Sequence, residues 1–218
     1  MSNAIWAFVS IYCVLLVIYM ITKVVGRKSA FRGVNKMMLV IVYLSVVIYT
    51  LFKGADTYKI VALIALVFAG AGDAFLLFTS NRNMFHAGVV SFGISNLLLI
   101  VLSVVMYGWQ WWSIVIFVVL YCINILLQYK EVYTYGKSKW FLNIYLIFVC
   151  YSGCLGLANA IVATALPAIL YGVGAFMFFV SDILLGMYYF KLKKSYVDVL
   201  NSLLYFGGIM LIALSFAI

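Results

Sequence analysis

An all-α bundle of eight transmembrane helices, with both termini outside, is the architecture expected of this chain, on three grounds. Composition is the first: 68% of the 218 residues are hydrophobic, only 9% are charged and mean hydropathy is +1.23. A soluble domain is nearer half apolar and a quarter charged. Spacing is the second, because apolar stretches long enough to cross a bilayer, at about 20 residues per crossing, follow one another along the whole chain. The third is the placement of the cations between them.

Ala4–Thr22 has no basic leader and no clear cleavage site, so it reads as a retained helix rather than a signal peptide. Met37–Phe52 follows a connection bearing Lys23, Arg27, Lys28, Arg32 and Lys36. Ile60–Thr79 contains Asp73, and Ala87–Met106 begins just after the single histidine, His86, and contains Asn96. Ser113–Gln128 has Asn124 near its end; Trp140–Val162 has Asn143 near its start and Asn159 near its end. Ala168–Tyr189 follows the single proline, Pro167, and contains Asp182, while Leu200–Ile218 opens on Asn201. The connections are short, so successive helices are expected to be antiparallel neighbours. No segment is polar and long enough for a separate soluble domain, so residues 1–218 form one transmembrane domain. Asp73 and Asp182 lie half the chain length apart, which raises a four-plus-four repeat (1–109 and 110–218); evenly sized helices give the same offset without duplication.

All the lysines and arginines except Lys53 and Lys59 fall in the first, third, fifth and seventh connections or at their edges. Loops rich in Lys and Arg face the cytoplasm, which puts both termini outside and suits a bacterial inner (cytoplasmic) membrane. The net charge of +9 is therefore an orientation signal with some attraction for anionic lipid, and no nucleic-acid partner is expected.

With that orientation, polar residues can be ranked by depth. Asp73 lies about 9 Å and Asp182 about 11 Å from the inner ends of their helices, and Asn96 about 13 Å from its own, at 1.5 Å per residue. Asn124, Asn143 and Asn201 fall in the same inner half. A pocket opening toward the cytoplasm or inner leaflet, and closed at its far end, is expected.

The reactive inventory is small, so elimination is informative. A Ser-His-Asp hydrolase needs a histidine beside its nucleophile, and His86 reads as an interfacial residue. A zinc hydrolase needs three or more ligands. Cys13, Cys122, Cys150 and Cys154 all fall in the expected spans and read as small apolar residues with no metal spacing. An ionisable residue in a membrane span costs about 2.5–3.5 kcal/mol on insertion scales and marks a functional site by default. Acid–base chemistry therefore falls to Asp73 and Asp182. Two buried carboxylates can divide the work, one giving a proton while the other stabilises positive charge. An interhelical hydrogen bond or a proton relay is the non-enzymatic alternative. Ala69 and Gly70 one turn before Asp73 permit a close neighbour. Gly88, Phe92 and Asn96 form a stripe on the fourth helix, and Ser181, Phe178, Phe179 and Leu185 surround Asp182 in sequence.

Gly72-Asp73, then Phe85, Gly88 and Phe92, then Phe179 and Ser181-Asp182 before Leu184-Leu185, together with the basic run ending at Lys36, resemble the YhhN-type lysoplasmalogenase family across the whole chain. The resemblance implies a membrane enzyme that hydrolyses the vinyl ether of lysoplasmalogens to a fatty aldehyde and a glycerophospho-ethanolamine or -choline. It implies Asp73 and Asp182 as catalytic residues, with no metal or organic cofactor. Substrate and water positioning then falls to Asn96, Ser181, Phe92 and Asn124, and contact with the head-group phosphate of the lysophospholipid to Lys36, Arg32, Arg82 and Lys191. The pattern has a histidine and often a tyrosine where this chain has Asn96 and Leu99, and asparagine exchanges no protons near neutral pH. Two other readings stand beside it: a proton-coupled small-solute transporter, for which Gly70, Gly72, Gly172 and Gly174 could break paired helices, and a catalytically inactive lipid-binding membrane protein.

Overall fold

The computed structural model describes residues 3–25, 29–78, 81–130 and 136–218. Arg27 and Lys28, expected in the first connection, and Thr79, expected as the end of the third helix, lie outside them. Eight α-helices appear in the described residues: α1 (Asn3–Val24), α2 (Ser29–Lys53), α3 (Thr57–Phe75), α4 (Arg82–Tyr107), α5 (Ser113–Tyr129), α6 (Lys139–Val162), α7 (Leu166–Met187) and α8 (Ser195–Ser215). Seven are long and apolar enough to cross a membrane, and the exception is α5, with 17 residues. The chain is thus an integral membrane protein.

Local chemistry sets several ends. Asp56 caps α3 by accepting from Lys59 N at 2.8 Å, and Asn81 caps α4 by accepting from Asn83 N at 2.9 Å; both satisfy amides that the first helical turn leaves free. Pro167 sits in the first turn of α7, where its missing N–H costs nothing. Gly108 ends α4 at φ 88°, a conformation open to glycine and strained for other residues. A 3₁₀ turn (Leu76–Phe78) extends α3, and a π turn (Tyr188–Leu192) extends α7.

The helix starts depart from the sequence reading in a consistent direction. α2 begins at Ser29 rather than Met37, and α8 at Ser195 rather than Leu200. Apolar windows stop at charged residues, but a charge that meets its partner on a neighbouring helix need not end the helix. Arg32 and Lys36 are accordingly helical residues.

α1, α2, α3, α4, α6, α7 and α8 close a ring in which each packs on the next and α8 returns to α1. The expectation of sequential neighbours fails between α4 and α5: α4 packs on α6, and α5 lies outside the ring, mainly against α6. Ile116, Phe117 and Leu120 pack on a buried cluster of α6 and α7, and a buried chain of amides joins α5 to α6, with Gln128 Nε2 donating to Asn124 Oδ1 at 2.7 Å and to Asn143 Oδ1 at 2.8 Å. Outward-facing Trp6, Ile11, Val14 and Val17 on α1 and Val115, Val118 and Val119 on α5 give the ring an apolar exterior suited to lipid.

Close helix contacts use small residues, as membrane bundles do. A Cβ on Gly172 of α7 would stand 2.0 Å from Gly156 O of α6, and one on Gly174 would stand 2.5 Å from Gly208 O of α8. The half of the ring away from the starts of α2 and α8 is filled by large side chains, including Tyr12, Tyr43, Tyr171, Ile209 and Ile212. The tyrosines satisfy their hydroxyls on helix carbonyls: Tyr12 on Phe206 O (2.7 Å), Tyr43 on Leu66 O (3.3 Å) and Tyr171 on Leu99 O. A buried phenol without an acceptor would be costly, so these bonds explain how so aromatic an interior is tolerated.

Candidate active site

α2 and α3 approach closely because Gly70 has no side chain: a Cβ there would lie 2.6 Å from Val40 Cγ1. One turn further along α3, the same approach brings Lys36 to Asp73. Lys36 Nζ stands 2.8 Å from Asp73 Oδ1 and donates to Asp73 O at 3.3 Å. The other carboxylate oxygen, Oδ2, accepts from Tyr205 OH of α8 at 2.6 Å. Asp73 is only 2% exposed, so each oxygen has a strong donor in a place where an unpaired charge would be severely penalised.

Asp182 comes from the opposite wall. Its Oδ2 accepts from Tyr145 OH of α6 at 2.5 Å. It belongs to none of the ion pairs among the described residues. The two aspartates are thus chemically unlike: Asp73 faces an ammonium and a phenol, Asp182 a phenol.

Both border one cavity of about 820 Å³. Its mouth is lined by Ala30 and Arg32 at the start of α2, Leu77 and Phe78 after α3, and Tyr188 and Tyr189 after α7, at the end of the bundle where most of the cations lie. Tyr19 and Lys23 of α1, Phe92 of α4, and Asp198, Asn201 and Ser202 of α8 also line it. Near the mouth, Lys23 Nζ contacts Asp198 Oδ1 and Ser202 Oγ, each at 2.5 Å. Its far end is aromatic. Phe92, Phe178 and Tyr205 meet edge to face, with centroids 6.0, 5.9 and 5.2 Å apart. Gly72 makes room for this floor, since a Cβ there would lie 2.8 Å from the Phe92 ring. A recess of about 50 Å³ continues past Phe92, Leu185 and Asp182 toward Tyr145 and Leu146.

Of the residues expected to position substrate or water, Phe92 borders the chamber. Three other positioning candidates do not. Asn96 lies one turn deeper, behind the Phe92 floor, and its Nδ2 donates to Phe92 O at 3.0 Å. Ser181 Oγ donates to Phe178 O of its own helix at 2.6 Å, and Asn124 belongs to the α5–α6 amide chain. Among the cations, Arg32 and Lys36 line the chamber, with Lys36 on Asp73; Arg82 and Lys191 are exposed and off it. His86 sits outside as well, against Phe141 at a centroid distance of 4.8 Å. Tyr145, Tyr205, Lys23 and Asp198 were not singled out by sequence. A basic-connection lysine and an acidic residue at a helix start carry a weak pairing signal; the two tyrosines carry none among 17.

Comparison with known proteins gives one result: the model of the YhhN family matches residues 31–216. No curated protein and no solved structure matches.

Proposed function

The chain belongs to the YhhN family, and from that premise we propose that it is a membrane hydrolase cleaving the vinyl ether bond of lysoplasmalogen-type lysophospholipids. The observation that carries the reading is that Asp73 of α3 and Asp182 of α7 border one chamber. Acid hydrolysis of a vinyl ether starts with a proton delivered to the alkenyl carbon distal to oxygen. The resulting oxocarbenium ion takes up water at the carbon bonded to oxygen, and water gives a proton back to the protein. The hemiacetal then breaks its bond to the glycerol oxygen, releasing a fatty aldehyde and a glycerophospho-alcohol. One vinyl ether and one water are consumed, and the protein ends unchanged.

The unlike surroundings suggest the division of labour. Asp73, already facing the Lys36 ammonium, is the standing carboxylate that stabilises the cation in a place of low dielectric. Asp182, which accepts from Tyr145 and has no ion-pair partner among the described residues, gives the proton and recovers it from the attacking water, a role general acids fill when geometry places them on the reacting atom. The chamber opens at the cytoplasmic end if the basic loops face inward, giving access to inner-leaflet lysolipid.

A transporter built on the same aspartates is expected to break its helices near the midplane. α3 and α7 run unbroken through Asp73 and Asp182, and Gly70, Gly72, Gly172 and Gly174 all have close-packing roles, which favours the enzyme. The test is purified protein given 1-alkenyl lysophospholipid. Stoichiometric aldehyde and glycerophospho-alcohol support the reading; proton or solute flux in vesicles with no aldehyde overturns it.

A further inference from the structure

Three cations (Lys23, Arg32, Lys36) and three aspartates (Asp73, Asp182, Asp198) line the chamber, but they do not all pair with one another. Lys23 pairs with Asp198, and Lys36 with Asp73. Among the described residues Arg32 is left without an ion-pair partner, and its Nε is buried with no hydrogen-bond partner. A buried guanidinium donor left unpaired is costly, and an anion entering the chamber would face the charge of the half-buried Arg32 that lines it.

A second observation concerns the side of the chamber. Ala30, Val34, Met38 and Ile41 recur at three- to four-residue spacing on α2, so they form one stripe. All four line the cavity, yet all are exposed on the outer surface of the ring: Val34 58%, Met38 47%, Ile41 62%. Across from them, Leu77 and Phe78 at the end of α3 are also both cavity-lining and exposed. A residue that meets both the cavity and the outside marks an opening, and this one is apolar along its length. The stripe rises about 16 Å, at 1.5 Å per residue, roughly half of a ~30 Å hydrocarbon core. The recess beyond Asp182 is no alternative for a chain: about 50 Å³ is the volume of one or two waters, at ≈ 30 Å³ each.

We infer that the chamber loads sideways from the bilayer, taking a single-chain amphiphile whose anionic head group meets Arg32 and whose chain leaves between α2 and the end of α3 along Val34, Met38 and Ile41. Charge at one end and an apolar slot at the other fit one chain and one phosphate; the neutralised Lys23–Asp198 pair beside them gives both signs for a zwitterionic head. The ligand class rests on the lysophospholipid reading, but loading and chemistry can be read separately.

The probe is a saturated 1-O-alkyl glycerophosphocholine, which lacks the vinyl group and cannot be cleaved, with a photoreactive diazirine at the chain end. In the wild-type protein in nanodiscs, irradiation and peptide mapping should place adducts on the α2 stripe or Leu77–Phe78. Adducts confined to Leu142, Leu146 or Phe190, or no saturable labelling, overturn the inference. Competition with the unlabelled phospholipid should exceed that of the phosphate-free 1-O-alkylglycerol by about tenfold or more, the worth of one charge-assisted hydrogen bond. In Arg32→Gln that gap should shrink to about twofold; an undiminished gap places the phosphate elsewhere. If Arg32→Gln does not fold, the wild-type adduct map still decides. Labelling of α2 without aldehyde release from a vinyl ether would overturn the hydrolase and keep the portal; aldehyde release with labels only in the recess would do the reverse.

Discussion

Lys36 Nζ lies 2.8 Å from Asp73 Oδ1, so a residue that sequence places in a basic, orientation-setting connection is bound to a carboxylate inside the membrane. The pair explains why α2 extends back to Ser29 and how a charged Asp73 is held in an apolar ring. Removing one partner of a buried pair costs about 3–5 kcal/mol, whereas replacing both by apolar or neutral groups is often near neutral. Lys36→Met should therefore lower the thermal midpoint in detergent markedly, and Lys36→Met with Asp73→Asn should recover most of that loss without recovering turnover. A single Lys36→Met as stable as wild type would show that the pair is not held in the folded protein.

The phenols make a finer test. Tyr205→Phe and Tyr145→Phe each remove one hydrogen bond to a carboxyl group, and bonds to charged groups are worth about 1.5–3 kcal/mol. Turnover of the vinyl ether substrate should fall about tenfold or more in each, with KM changed far less. Loss confined to KM would make the tyrosines substrate contacts rather than partners of the aspartates.

Asn96 invites the opposite expectation. Because it sits behind Phe92 and bonds to that residue's carbonyl, Asn96→Ala should cost about 1 kcal/mol of stability and leave turnover within about twofold of wild type. Asn96→His should likewise give no large gain. A rise of about tenfold or more in Asn96→His would mean that a proton shuttle at this depth reaches the substrate after all.

Packing at the small-residue contacts is testable without substrate. Gly172→Ala would put a methyl 2.0 Å from Gly156 O, forcing α6 and α7 apart. Overpacking of this kind costs about 1–3 kcal/mol, and unfolding should move to correspondingly lower denaturant. An unchanged midpoint would mean that α6 and α7 do not approach this closely.

Much of this was legible from the sequence. Two lone carboxylates in apolar stretches pointed to a shared site because few other residues in those spans could do acid–base chemistry. The cation pattern pointed to the end at which the chamber opens. What sequence gave for Asn96 was depth but not rotation: it shares a stripe with Phe92, yet the chamber closes at Phe92, a fact set by Phe178 and Tyr205 on other helices. Tyr145 and Tyr205 were hidden among 17 tyrosines, most of which could equally have been interior filling or interfacial anchors. The displacement of α5 outside the ring was also unreadable, since short connections predict neighbours and say nothing of which helix a neighbour prefers.

Protonation at carbon leaves a trace in the product. Turnover in deuterated water should give aldehyde with one deuteron on the carbon next to the carbonyl. Aldehyde without that deuteron would exclude proton delivery to the alkenyl carbon.

The most direct test of two aspartates sharing one reaction is aldehyde release by wild type, Asp73→Asn, Asp182→Asn and the double variant, all shown to be folded. General acid–base groups contribute about 10²–10⁴-fold, and residues acting as a unit are strongly non-additive. Each single variant should lose at least about 100-fold, and the double variant should be no worse than the poorer single. Wild-type turnover in either single variant would contradict the account.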